Sequence, residues 1–278
     1  MVKEMKKIGL VCCSNGIDRK QENDLKKLEH ELYQLHIDVQ WSPFIYQDKS
    51  IKSASAQDRA NIINQMNQDD SIDAIMDISG GDIANEILEY LDYTCLKKPF
   101  WGYSDLTTVI NAIYSQTKRE SVLFQIRHLV DNPLQIDRIQ NKTLFDIDYQ
   151  ILQGKAIQGI VVGGNIRCLL KLAGTPYFPD MKEKILLLEA YSGDEAKIIT
   201  YFNQLKQMGV FQQINGLLLG TYTQYFQKQT IIDLFELIKE YLPEDLTVVY
   251  SPDIGHSINA KAIMIGKEYQ FYFLNKNY

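Results

Sequence analysis

Four cysteines and four histidines in 278 residues leave little material for a structural zinc site. The cysteines, Cys12, Cys13, Cys95 and Cys168, show no paired metal spacing, and reduced thiols in a cytosolic setting are the simplest reading. Long apolar runs are also missing. The N-terminal "MVKEMKKIGLVCCSNG" is basic and then apolar, but residues 8–13 are too short for the h-region of a signal peptide, and no window approaches a membrane span. A cytoplasmic protein with no membrane partner is expected. The chain has no excess of positive charge: a formal net charge of -6 argues against nucleic acid or an anionic membrane as partner. It has no internal repeat, no low-complexity segment, and neither a GxGxxG nor a P-loop pattern, so a nucleotide-binding reading lacks its usual signature.

What is present is ordinary globular composition, 45% hydrophobic and 23% charged, in a chain long enough for two modest domains. The first half alternates. Residues 8–13 form a short apolar run ending in Ser14-Asn15-Gly16, as for a buried parallel strand. Residues 21–35 carry Leu25, Leu28, Leu32 and Leu35 at helical spacing. "IDVQWSPF", "IDAIMDIS" and "KPFWGYS" then read as strands, and "SASAQDRANIINQMNQ", "IANEILEYLDY" and "LTTVINAIYSQ" as helices. Such alternation predicts a mostly parallel sheet covered on both faces.

After about Asp131 the pattern turns polar and is punctuated by Pro133, which predicts a linker. The expected organisation is an N-terminal domain over 1–132, a linker over 133–155 and a second α/β domain over 156–278. That second domain has strand candidates "IQGIVVGGN", "KILLLEA", "INGLLLGTY", "LTVVYSP" and "KAIMIGKEYQFYF", with helices "DEAKIITYFNQLKQMG" and "IIDLFELIKEYL" between them.

Ligands of such sheets sit beyond the carboxyl ends of the strands. There the first domain delivers Ser14, Asn15, Gly80, Gly81, Asp82, Ser104 and Asp105, and the second delivers Glu189 and His256. Each has a bland reading. Ser104 and Asp105 stand where a helix begins, so both could be caps. Gly80-Gly81 could be a plain turn, Glu189 a solvated carboxylate, and His256 an incidental loop histidine. The alternative is nucleophilic catalysis: a serine at a tight strand-to-helix turn, a histidine base and a carboxylate to orient it. His30 and His36 lie on or beside a polar helix and His128 sits in the charged "QIRHLVD", which leaves His256 as the base candidate.

Four blocks in order carry a resemblance. They are "SASAQDRANIINQMNQDDSIDAIMDISGGDIANEILEYLDY", "KPFWGYSDLT", "GIVVGGNIRCLLKLAGTPYFPDMKEKILLLEA" and "DIGHSINAKAIMIG". Together they resemble the LD-carboxypeptidase family of serine peptidases, which includes murein tetrapeptide carboxypeptidases and microcin C immunity peptidases. The resemblance implies an N-terminal flavodoxin-like parallel-sheet sandwich joined to a C-terminal swivelling β/α domain. It implies Ser104 as nucleophile, His256 as general base, Glu189 as the residue that orients it, and the backbone amides of Gly81 and Asp105 as oxyanion hole. It implies no metal or organic cofactor, a peptide or muropeptide substrate, and a homodimer. Two features depart from the family pattern. Ser79 stands where many members have arginine before the Gly-Gly pair, which leans toward the immunity branch. "KRESVLFQIRHLVDNP", residues 118–133, replaces a His-Gly-Pro-like segment that helps shape the pocket. The implied function is hydrolysis of an amide near the C-terminus of a small peptide, in the first instance the L,D-bond of murein-derived tetrapeptides. The alternatives are cleavage of a peptidyl or aminoacyl nucleotide, or peptide binding without catalysis.

Overall fold

In the computed structural model, which describes residues 5–272, the apolar runs assemble into two separate six-stranded sheets. Residues 1–4 of the N-terminal stretch weighed above as part of a signal peptide lie outside this range. The first sheet takes β1 (Lys7–Val11), β2 (Asp38–Trp41), β3 (Ala74–Asp77), β4 (Phe100–Gly102) and β5 (Ser121–Leu123), all parallel. Helices α1 (Glu22–Gln34), α2 (Ala56–Gln68) and α3 (Thr107–Thr117) make the crossovers. Every residue of β3 is buried, which is why it opens on three successive apolar residues, Ala74–Met76, rather than an alternating pattern. α1 turns Leu25, Leu28 and Leu32 inward. α2 starts at Ser55, whose hydroxyl oxygen accepts from the Asp58 amide.

The stretch 84–90 is a 3₁₀ helix, Ala84–Tyr90, rather than an α-helix. Its apolar spacing permits this. Ala84 lies three residues before Ile87, so the two buried side chains share one face at three residues per turn.

The segment read as a linker holds α4 (Pro133–Gln140) and β6 (Gln150–Gln153). The second sheet has a parallel centre of β7 (Ile157–Asn165), β8 (Lys184–Ala190), β9 (Gly216–Tyr222) and β10 (Thr247–Tyr250). β6 pairs antiparallel with β10 at one edge. α5 (Ile166–Leu170), α6 (Glu195–Gln207) and α7 (Ile231–Ile238) complete this half. The fold is therefore α/β with two domains, each on a parallel-dominated sheet. Among the described residues no helix is long and apolar enough to cross a membrane.

"KAIMIGKEYQFYF" does not form a single strand. Gly266, at φ +90, breaks it into β11 (Ile263–Ile265) and β12 (Glu268–Phe271). β11 returns to the first sheet, antiparallel to β5, whereas β12 joins the edge of the second beside β7. One short segment thus closes both sheets. Ile263 is 1% exposed in the apolar core shared by the two halves. Ile263→Ala is expected to cost ~2–5 kcal/mol of unfolding free energy, the range for truncating a buried aliphatic side chain, as measured by urea denaturation.

Candidate active site

Ser104 sits between β4 and α3 as the first residue of a 3₁₀ turn, Ser104–Leu106. Its φ is +55, in the left-handed region that side chains other than glycine and asparagine seldom adopt. Such strain persists only where the surroundings hold it. Neither residue at the capping positions, Tyr103 before the turn nor Leu106 before α3, supplies a side-chain cap. The Ser104 hydroxyl turns elsewhere. It lies 3.1 Å from Nε2 of His256, 152 residues along the chain.

His256 is delivered by the loop after β10. Thr221 of β9 donates its amide to Ile254 at 2.7 Å, pressing the loop on the second sheet. Gly255, at φ +153, passes so near Thr221 that a Cβ would fall 1.7 Å from its Oγ1. From the other side, the Gln135 side chain donates to the carbonyls of Ile258 and Ala260 at 3.0 and 2.7 Å. α4, inside the presumed linker, thereby braces the histidine loop.

Glu189 lies where β8 and β9 change register, between Leu188 and Ala190. It is fully buried, and Gly220 opposite leaves it space: a Cβ on Gly220 would sit 2.9 Å from the Glu189 Cβ. Nδ1 of His256 is 2.8 Å from Glu189 Oε2. A carboxylate only accepts, so Nδ1 carries the hydrogen, Nε2 is left with a lone pair, and Ser104 O–H donates to it. The three residues that the sequence placed on different strand ends thus meet in one hydrogen-bonded series.

Asp105, singled out for its amide, has a side-chain role that the sequence did not reveal. Its buried carboxylate accepts from Ser14 Oγ at 2.6 Å, from the Ala84 amide at 2.8 Å and from the Lys171 ammonium at 2.6 Å. Lys171, just beyond α5, also reaches Asp82, as does Arg167. These ions tie the Gly80–Asp82 turn and the nucleophile turn to the second domain. Gly81 has φ +130 and packs on Asn15; a Cβ there would lie 2.2 Å from Oδ1 of that side chain, so glycine is required. Ser79 is completely buried and serves the frame: its hydroxyl donates to Asp77 and accepts from the Ser14 amide. The bound cation of Lys171 keeps its proton more firmly than usual despite burial, through its hydrogen bond to Asp105.

Three aromatic groups around the imidazole also escaped the sequence reading. Tyr103 meets His256 edge-on at 4.8 Å and Tyr191, largely exposed, flanks it at 5.0 Å. His128 packs against Tyr103 at 6.2 Å and Phe124 at 6.0 Å. Tyr103 adjoins Ser104 in "WGYSD", which was the available clue. Nothing in "QIRHLVD" separates His128 from a surface histidine.

Burial pushes the His128 imidazole down from 6.5 to about 4, with smaller contributions from the Arg127 and His256 charges. Unfolded, it takes its proton below about 6.5; folded, only below about 4. Within that window the unfolded chain binds more protons, so His128 lowers stability as pH falls through it and imposes no penalty above it. His128→Gln is expected to flatten this part of the stability profile, measured by urea titrations at successive pH values.

Known families match both halves. The LD-carboxypeptidase N-terminal domain covers residues 8–123, and the LD-carboxypeptidase C-terminal domain covers 158–271. The probable murein peptide carboxypeptidase of Bacillus subtilis (strain 168) is 25% identical over 268 residues, spanning 87% of this chain and 83% of that protein. The microcin C7 self-immunity protein MccF of Escherichia coli is 22% identical over 270 residues, 81% of this chain and 78% of its own. MccF in complex with aspartyl sulfamoyl adenosine shares the fold with a TM-score of 0.86 at 19% identity, covering 96% of this chain and 93% of that one. A muramoyltetrapeptide carboxypeptidase from Oxalobacter formigenes gives 0.80 at 19%, covering 96% and 95%. With both of its domains matched, in order and along most of its length, this chain belongs to the LD-carboxypeptidase family of hydrolases.

Proposed function

We propose that the protein is a serine carboxypeptidase acting near the C-terminus of a small peptide, and that its preferred bond is the L,D-amide of murein-derived tetrapeptides. The observation that carries this reading is the two-bond series from Ser104 through His256 to Glu189. His256 Nε2 takes the hydroxyl proton as Ser104 Oγ attacks the amide carbonyl. The buried Glu189 carboxylate steadies the imidazolium that forms and holds its tautomer. The developing oxyanion rests on the backbone amides of Gly81 and Asp105, with the N-terminal end of α3 behind them adding its positive dipole. The imidazolium then protonates the departing amine, and water attacks the acyl-enzyme with His256 again as base.

One similarity supports the choice of substrate: the Bacillus subtilis relative is a probable murein peptide carboxypeptidase, and the likeness spans most of both chains. A second reading, cleavage of a peptidyl or aminoacyl nucleotide, is favoured by Ser79 in place of arginine. Residues 118–133, which replace the family's segment there, motivate a third reading of binding without turnover.

Incubation with a muropeptide tetrapeptide and with a peptidyl-nucleotide mimic, followed by mass spectrometry, separates these readings. Release of the terminal D-alanine is the expected result; cleavage of the nucleotide mimic alone selects the second reading. Ser104→Ala is expected to lower turnover ~10⁶-fold, as loss of a serine nucleophile does elsewhere, with the melting temperature unchanged. Hydrolysis that persists in this variant at the original rate would refute the assignment.

A further inference from the structure

Glu189 has an oxygen that the catalytic series leaves unused. Oε2 accepts from His256, but Oε1 is buried and has no hydrogen-bond partner among the described residues. Buried polar atoms in folded proteins are nearly always paired, and a carboxylate oxygen is among the most costly to leave alone.

The donor placed to serve it is Tyr103. Its hydroxyl lies 3.3 Å from Nδ1 of His256, the nitrogen that already faces Glu189. Because the hydrogen on Nδ1 is shared with Glu189, that nitrogen has no lone pair to offer a phenol. The Tyr103 oxygen can therefore accept part of the N–H, and its own hydrogen must find another acceptor. The Glu189 carboxylate lies on the same side of the imidazole. Burial first, then the nearby Glu189 charge, push the Tyr103 phenol well up, so the hydroxyl keeps its hydrogen to donate.

We propose that Tyr103 is a positioning residue whose hydroxyl donates to Oε1 of Glu189, closing a ring of three side chains with His256. The ring fixes the plane of the carboxylate so that Oε2 stays directed at Nδ1, and it joins that carboxylate to the residue immediately before the nucleophile. This rests on the peptidase reading above. Three further titratable groups face the ring. His128, from the turn Ile126–Leu129, is neutral above about pH 4 and packs on Tyr103. Tyr191, just after β8, flanks His256 on the open side. Tyr222, on β9, is buried, feels the Glu189 charge and has a hydroxyl without a partner among the described residues, which makes it the rival donor.

The test compares wild type, Tyr103→Phe and Tyr222→Phe by the rate at which a fluorophosphonate labels Ser104, followed against pH. Tyr103→Phe keeps the ring that packs on His256 and removes only the hydroxyl. It is expected to label ~10-fold more slowly at neutral pH, short of the ~10²-fold or more that losing the base altogether would cost, because His256 itself remains. Its acid limb is expected to move to higher pH, because a carboxylate deprived of a donor lets the Glu189–His256 pair hold a proton more tightly. Tyr222→Phe should leave the limb in place. An unmoved limb in Tyr103→Phe, or the shift appearing in Tyr222→Phe instead, overturns the proposal. Incorporation of 3-fluorotyrosine at position 103, a stronger donor, should move the limb the opposite way even where the phenylalanine variant folds poorly. If wild type does not label at all, the peptidase reading fails on its own. The downfield N–H proton resonance of His256, assigned with His256→Gln, then still decides the contact: displacement in Tyr103→Phe upholds it and an unchanged resonance rules it out.

Discussion

Two hydrogen bonds between Asn111 and the backbone of Gly163 set the register of one domain against the other. The Asn111 side chain donates to the Gly163 carbonyl and accepts from its amide, each at 2.8 Å and out of contact with water. One buried amide side chain thus imitates the edge of a strand. Close by, the Asn165 amide donates to Thr107 at 2.9 Å, and Gly164 passes so near Thr107 that a Cβ would lie 2.7 Å from its hydroxyl. α3 is buried from Thr107 to Tyr114, as a helix packed on all sides must be. Ser104 leads into α3, and Asn165 pairs with Glu189 across β7 and β8. The distance from nucleophile to carboxylate is therefore set through helix, clamp and strand, without any loop in the path.

The second constraint is electrostatic. Asp105, 0% exposed, would be an expensive group without Lys171, and Lys171 comes from the opposite domain. Breaking the domain contact would strand a buried charge directly behind the nucleophile, so this ion pair opposes separation of the two domains there. The strained backbone of Ser104 is supported from both ends, by Tyr103 against His256 and by Asp105 against Ser14 and Lys171.

Much of the architecture was legible because parallel strands buried on both faces leave continuous apolar runs, as in the "AIM" of β3 and the "ILLL" of β8. The short or polar edges were not. β5 has three residues behind a charged stretch, and β6 reads "QILQ" with no residue fully buried. Their strand character comes from partners supplied elsewhere in the chain. The run that became β11 and β12 is apolar before Gly266 and alternates polar and aromatic residues after it; that change marks a break but does not say which sheet each part joins. The same limit applied at Ser104. A serine followed by aspartate at a strand-to-helix junction suits a cap and a nucleophile equally, and the deciding contact is with a histidine from the far end of the sequence. Tyr103, His128 and Lys171 matter through their neighbours, and a linear pattern carries no neighbours.

The return of β11 to the first sheet has a consequence for how the molecule is made. Until residues 263–265 have emerged from the ribosome, β5 is an exposed edge whose outward-facing backbone donors and acceptors are unpaired. The opening half of the chain therefore waits, incomplete, through synthesis of the entire second half. Translation that stalls before residues 263–265 leaves a sheet edge ready to recruit strands from other nascent chains.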